Sequence, residues 1–460
     1  MSRTAEARPQ ATGGLSRQEI VRTWWPLAGS WLLMSIEGPA MAAIIARLAH
    51  PEINLAAYGG LVLPIAVLIE APIMMILAAS TALSRDWPCY AKLRMFTHAL
   101  GAGLTAIHVI LVATPVYYFV ARGLVHAPEE IIGPARLGLL IVIPWTWSIA
   151  YRRFGQGVLI RLHRSIWVGT GTVVRLAAEA AVLAVGYAVG SLAGIVVAAV
   201  AMNAGVMSEA LFVFIVLRKP LKTELKPAPI LQRPFTTREL VRFYVPLALT
   251  STIAMICVPI GSAAISRMPR ALDSLAAWPV VSAMRLLTSS PGLAYNETVV
   301  ALAERPKSSQ RLWRFSLTLS AFTTAGLVVL IIPPVANLVF KSLLHLPPAV
   351  ELLSHRSLWF LLPMPTIAVL QSWYQGVILY SRRTRSIIES VLLFTFVIAA
   401  FLAAGVSWGG VAGIYVAAAT FTVGDVVRTV WLQIRSGDAR RSLAARDSEA
   451  IEAIDSASAN

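Results

Sequence analysis

Residues 236–248 read TTRELVRFYVPLA, and residues 16–28 read SRQEIVRTWWPLA. Glu19, Val21, Arg22, Pro26, Leu27 and Ala28 recur as Glu239, Val241, Arg242, Pro246, Leu247 and Ala248, at an offset of about 220 residues. The register runs on: Pro39 meets Pro259, Arg47 meets Arg267, and Leu55, Ala56 and Ala57 meet Leu275, Ala276 and Ala277. Further along, Pro144 meets Pro363, and Gln156-Gly157-Val158 meets Gln375-Gly376-Val377. A fixed long period implies two copies of one unit. The function is expected between them.

Hydrophobic residues make up 57% of the chain and charged residues 13%. A soluble protein carries about 25% charged residues, so this composition predicts a polytopic membrane protein. Cys89 and Cys257 fall in different copies, one in a predicted loop and one in an apolar span, and support neither a disulfide framework nor a thiolate metal site. The polar, basic N-terminal residues lack the apolar core of a cleaved signal peptide. The first span is expected to direct its own insertion.

A spanning helix needs roughly 20 mostly apolar residues. About twelve segments qualify, predicting an all-α protein: 22–47, 56–82, 95–121, 136–160, 166–188 and 191–217, then 241–266, 274–302, 313–340, 351–380, 386–406 and 409–434. The division is an N-terminal segment 1–21, a six-helix lobe 22–217, a basic linker 218–240, a six-helix lobe 241–434 and a polar tail 435–460. An even number of spans per copy makes the copies parallel. Lys and Arg concentrate on one side, from Arg3, Arg8 and Arg17 through Arg85, Lys92 and Arg94, Arg233, and Arg382 and Arg383, to Arg435 and Arg440. By the positive-inside rule both termini are cytoplasmic and the protein resides in the cell membrane. The net charge of +16 is thus a topology signal and a contact for anionic lipids at the cytoplasmic face, not a nucleic-acid footprint.

Charges inside spans cost about 2.5–3.5 kcal/mol each and are kept where they meet a partner or a polar cavity. Glu37 and Glu70 lie at mid-depth in the first two spans, opposite Cys257 and a serine (Ser289 or Ser290) in the repeat. They are the candidate carriers of a coupling proton or Na+; a neutral acid bonded to backbone is the plainer alternative. Arg175 and Glu179, four apart, and Asp425 and Arg428, three apart, are spaced to pair within their own helices. Arg152 and Arg153 point about 100° apart, so both are not expected to face one cavity. Arg285 has no acid within a helical turn and is the leading candidate for contacting an anion. Asn296 and Glu297 follow Pro291, whose missing N–H frees backbone groups to line a cavity. Trp24, Trp25 and Trp31 read as interface anchors. HExxH, GxSxG and Walker-type loops are absent, so no enzyme is indicated and no cofactor is called for beyond a coupling ion.

Two parallel six-helix copies with WPL or VPL early in each resemble the multidrug and toxic compound extrusion transporters. Residues 45–59, IARLAHPEINLAAYG, are similar to that superfamily's first-loop pattern. Trp25-Pro26-Leu27, Ala57-Tyr58-Gly59, Pro72, and Pro291 with Glu297 six residues later resemble its progressive ankylosis branch. The resemblance implies a monomeric secondary transporter exporting a small anion such as pyrophosphate, citrate or a nucleotide, with a cavity between rocking lobes. The family's first-span acid would fall near Met41, whereas here Glu37 stands one turn away. An exporter of organic cations and a flippase for a lipid-linked sugar phosphate are the rival readings.

Overall fold

The two repeated stretches open helices, and the reason is local. Ser16 Oγ accepts the amide of Glu19 at 3.1 Å while the Glu19 carboxylate accepts the amide of Ser16 at 2.9 Å. Thr236 and Glu239 make the same reciprocal pair at 3.2 and 2.6 Å. Such capping boxes satisfy amides that have no partner within the helix.

The computed structural model describes residues 15–230, 235–381 and 385–458. Arg3, Arg8, Arg233, Arg382 and Arg383, used in the topology argument, lie outside the described residues, as do most of the N-terminal segment and the last two residues of the tail. The described chain is helical throughout. The first copy contains α1 (Arg17–Ile45), α2 (Pro51–Leu83), α3 (Trp87–Ala113), α4 (Glu129–Ile141 and Ile143–Arg161), α5 (Ile166–Val189) and α6 (Gly194–Leu225). The second contains α7 (Thr237–Ser266), α8 (Ala271–Leu302), α9 (Ser308–Ile331), α10 (Pro348–Leu358 and Met364–Tyr380), α11 (Arg385–Trp408) and α12 (Gly413–Arg435). Among the described residues, eight helices are long and apolar enough to cross a membrane, nine if bent α4 counts as one. The helix α13 (Gly437–Ser458) forms the tail and docks back, Asp447 accepting the Ser309 amide at 2.8 Å.

The repeat is visible in the backbone. Left-handed residues recur in register at His50 and Arg270, His126 and His345, and Gly190 and Gly409. Both first spans break at the same place, at Ile36 and Ile256, three residues before Pro39 and Pro259, which cannot donate to the preceding turn. The fourth spans repeat a close approach: a Cβ on Gly157 would lie 1.9 Å from Ser80 Oγ in α2, and one on Gly376 would lie 2.6 Å from Val299 in α8. Small residues at these crossings let backbones meet. Departures from the predicted limits also have local causes. Pro144 bends α4 by 44°, and α2 carries a π turn at Tyr58–Val62 and a 3-10 turn at Ala71–Met75 where α8 is continuous.

The first helix of each copy leans on the other copy. Trp24 Nε1 donates to Pro291 O in α8 at 2.9 Å, and Glu19 meets Arg305 at 3.3 Å. Trp24 is therefore buried rather than an interface anchor. Symmetrically, Tyr244 donates to Pro72 O, and Ser251 donates to Ala71 O at 2.7 Å. At the opposite face each first span ends in an arginine clasp. Arg47 donates to Ala43 O at 2.7 Å and across to Leu343 O at 2.6 Å. Arg267 donates to Ala263 O at 2.7 Å and across to Leu124 O and Val125 O. The accepting carbonyls end the short helices Phe119–Val125 and Asn337–Leu343, where a cation is favoured. Each fork is worth about 1 kcal/mol. Arg47→Gln with Arg267→Gln should speed amide exchange in those two helices about fivefold and leave α3 unchanged, as read by hydrogen–deuterium exchange.

Candidate functional site

The sixth span places one carboxylate, Glu209, among apolar neighbours with no accessible side-chain surface. A buried carboxylate needs opposite charge and hydrogen bonds. Glu209 takes Arg152 Nη1 from α4 at 2.7 Å, Gln156 Nε2 from α4 at 2.7 Å, and Arg175 Nε from α5 at the longer 3.7 Å. Arg175 also reaches Glu37 in α1 at 2.7 Å. This chain of charges links α1, α4, α5 and α6. It borders a cavity of about 490 Å³ whose wall includes Glu37, Glu70, Arg152, Arg153, Arg175 and Gln156, with Trp31 and Trp145 among its apolar residues.

Two expected pairings are corrected. Arg175 does not turn along its helix to Glu179; it points across to Glu37 and Glu209. Glu179 sits beside Glu37 and keeps Oε1 without a partner. Asp425 is held not by Arg428 but by Gln371 of α10, whose Nε2 lies 3.1 Å from Oδ1. Arg428 places its guanidinium 5.8 Å from the Phe394 ring centre instead. A third expectation also fails: Arg152 and Arg153 border the same cavity, because their flexible stems converge from different sides of α4. Arg153 finds only the Met74 sulfur, at 3.9 Å, and its Nε has no partner. Trp31 lines the cavity rather than anchoring at an interface.

Glu70 is buried at the junction before Pro72, its Oε2 unpartnered. Arg285 does have an acid, across helices: Asp425 Oδ2 at 3.7 Å, a loose contact with the arginine side chain 38% exposed. Its neighbour Leu286, not Arg285, borders the cavity. Asn296 is turned to Ser372 O at 3.3 Å and Glu297 is exposed, so neither joins the cluster.

The repeat places different chemistry at equivalent positions in the second copy. Arg152, Arg175 and Glu209 correspond to Gln371, Phe394 and Arg428, and Glu37 corresponds to Cys257. The ion pair Arg175–Glu209 thus becomes the cation–ring contact Phe394–Arg428. In the first copy Glu37 and Glu70 line the cavity with three arginines, and Glu209 and Glu179 adjoin them through Arg152, Arg175 and Glu37, while in the second copy Arg285 and Arg428 lie about Asp425. Sequence reasoning missed Glu209 and the role of Gln156. The signal was available, since Glu209 is the acid of an otherwise apolar span.

The scaffold that carries these residues has the fold of the MATE transporters. An inward-facing multidrug resistance MATE family transporter of the MOP superfamily superposes with a TM-score of 0.57, at 15% identity over 94% of this chain and 97% of that one. A MOP superfamily transporter from Pyrococcus furiosus gives 0.64 at 15% identity over 95% and 100%. The lipid II flippase MurJ, in an inward closed conformation, gives 0.59 at 12% identity over 92% and 91%. At these identities the likeness is one of fold. No family model matches the chain, and no curated protein matches it in sequence.

Glu209→Gln should be the most destabilising single change in the cluster. It leaves Arg152 and Arg175 short of a buried counter-charge, a loss of about 3–5 kcal/mol. Glu37→Gln keeps the shape of a group that is partly accessible and should cost less. Thermal unfolding of the detergent-purified proteins checks the order, and equal midpoints would show that Glu209 does not compensate the two arginines.

Proposed function

We propose that the chain is a secondary active transporter that exports a small organic or phosphate-bearing anion by alternating access, in the cell membrane with both termini cytoplasmic. One observation carries this reading. Among the described residues, the Arg153 guanidinium borders the cavity with no carboxylate within 4.0 Å. Glu70 and Glu209 act on it only from beyond that distance; a guanidinium at membrane depth without a close partner is costly, and an anionic substrate supplies one. Arg428, also without a carboxylate in that range, and loosely held Arg285 offer donors of the same kind on the second copy. The planar fork of arginine suits bidentate carboxylate or phosphate binding. Glu37 and Glu70 are the residues assigned to ion coupling. The resemblance of Trp25-Pro26-Leu27, Ala57-Tyr58-Gly59, Pro72, and Pro291 with Glu297 to the progressive ankylosis branch supports the same substrate class.

A second reading, coupled export of an organic cation, is favoured by the carboxylates of the cluster, Glu37 and Glu70 on the cavity wall with Glu179 and Glu209 next to them. Uptake of pyrophosphate and of citrate into proteoliposomes separates the two. Wild type should transport such an anion, Arg153→Gln should lose at least about tenfold, the worth of a charged hydrogen-bond pair, and Arg285→Lys should retain more than Arg285→Gln. Glu70→Gln should flatten the dependence of rate on pH. Transport of organic cations alone, with no effect of Arg153→Gln on any anion, would favour the second reading.

A further inference from the structure

A second hollow, of about 1120 Å³, lies at the face carrying both described chain ends, between the start of α9 and the tail helix α13. Lys307, Arg311, Arg314, Arg440 and Arg441 border it, and Asp447 is the acid on its wall. That acid is already engaged with the Ser309 amide at 2.8 Å and with Arg446 at 2.7 Å. Among the described residues Lys307 and Arg314 have no carboxylate within 4.0 Å. Arg440 donates one Nη2 bond to Gln433 O at 2.9 Å, lies 5.2 Å from the Tyr374 ring centre, and keeps a buried Nε without a partner. Arg441 is tied to Asp438 at 2.5 Å, but that pair is exposed and contributes little. Arg311 and Arg314 also border an adjoining hollow that includes Arg17.

The rest of the wall carries Trp313, Trp373, Ile434, Gly437 and Ala444 beside Ser309, Gln310 and Ser448. Trp313 packs on Trp373 with ring centres 6.1 Å apart, and Ile434 in the last turn of α12 is 66% exposed. Arg311 and Arg314 lie within the first two turns of a membrane-length helix, the depth at which basic and aromatic side chains meet lipid head groups. The hollow therefore offers guanidinium groups to a phosphate and apolar surface to a hydrocarbon chain at the same level.

We propose that this hollow binds the phosphate head group of an anionic membrane lipid, with Arg314 and Arg440 as its principal donors and Trp313 and Ile434 against the acyl chains. The tail helix is then part of a lipid site and not only a C-terminal appendage. A free phosphate presents the same head chemistry without the chain, and the apolar part of the wall favours the lipid.

Native mass spectrometry of the full chain in detergent, titrated separately with dioleoyl phosphatidic acid, dioleoyl phosphatidylcholine and inorganic phosphate, tests this. Phosphatidic acid should bind at least about fivefold more tightly than phosphatidylcholine, at roughly 1 kcal/mol per basic side chain near the surface. Arg314→Gln with Arg440→Gln should remove that preference, while Lys222→Gln with Lys226→Gln, in the basic segment at the end of α6, should leave it intact. Arg314→Gln alone alters an exposed side chain, and should weaken phosphatidic acid binding by about fivefold even if the double variant does not fold. Inorganic phosphate should compete weakly. The proposal is overturned by equal binding of the two lipids, by equal loss in the linker variant, by unchanged binding in Arg314→Gln, or by inorganic phosphate binding as well as phosphatidic acid.

Discussion

A single buried carboxylate organises the first copy. Glu209 is removed from water inside an apolar helix, and its charge is tolerated because Arg152 and Gln156 reach it at 2.7 Å and Arg175 approaches from another helix. Taking ions out of water costs several kcal/mol each, which only close, well-bonded partners recover. This constraint fixes α4 and α5 against α6. It also determines what is left over. With Arg152 and Arg175 committed to Glu209 and Glu37, Arg153 and Glu70 are the charged groups on the cavity wall that, among the described residues, have no ion pair within 4.0 Å.

The second copy shows that the scaffold does not require this chemistry. At the positions of Arg152, Arg175 and Glu209 stand Gln371, Phe394 and Arg428, and the helices still meet in the same order. The link from the fourth to the sixth span survives in altered form. Gln156 donates to Glu209 in the first copy, while Gln371 donates to Asp425 and Thr429 in the second, about one helical turn nearer the opposite face. A duplicated frame has kept its packing glycines and helix breaks and exchanged its charges. That inequality between the copies gives the interior an acid-rich side and an arginine-rich side.

The duplicated stretches, the helical order and the presence of charges within spans were legible in the sequence, because periodicity and local capping are written in nearby residues. Partner choice was not. The rule that charges three or four apart pair within a helix holds on exposed surfaces, where the alternative is water. At Arg175 and Asp425 the alternative is another helix, and the cross-helix contacts to Glu37, Glu209 and Gln371 prevail. Angular separation on a helical wheel likewise failed for Arg152 and Arg153, since side chains of this length reach one cavity from both sides. Glu209 stood out in the sequence as a lone acid in 191–217, but with no charge three or four residues away its partners on other helices were not legible.

The largest difference from the sequence reading concerns what counts as a lobe. Boundaries drawn at the linker assign α1 wholly to the first copy and α7 wholly to the second. The hydrogen bonds divide them differently. Up to Ile36, α1 is fastened to α8 and to the loop at Arg305; beyond it, Glu37 is bound to Arg175 of its own copy. Likewise Tyr244 and Ser251 of α7 fasten to Pro72 and Ala71, while Cys257, just past the break, lies 3.5 Å from Thr395 of its own copy. Each first helix is thus shared between copies and interrupted where its polar partners change, although Gly38 still packs against Ala283 of α8, and Arg47 and Arg267 reach the other copy again at its far end. A displacement of one copy against the other must act on both halves of these helices. The proline-weakened turns at Ile36 and Ile256 are where their backbone ladders are already broken, so the side chains nearest the strain are Glu37, at the start of the charge chain, and Cys257, which carries no charge to disturb.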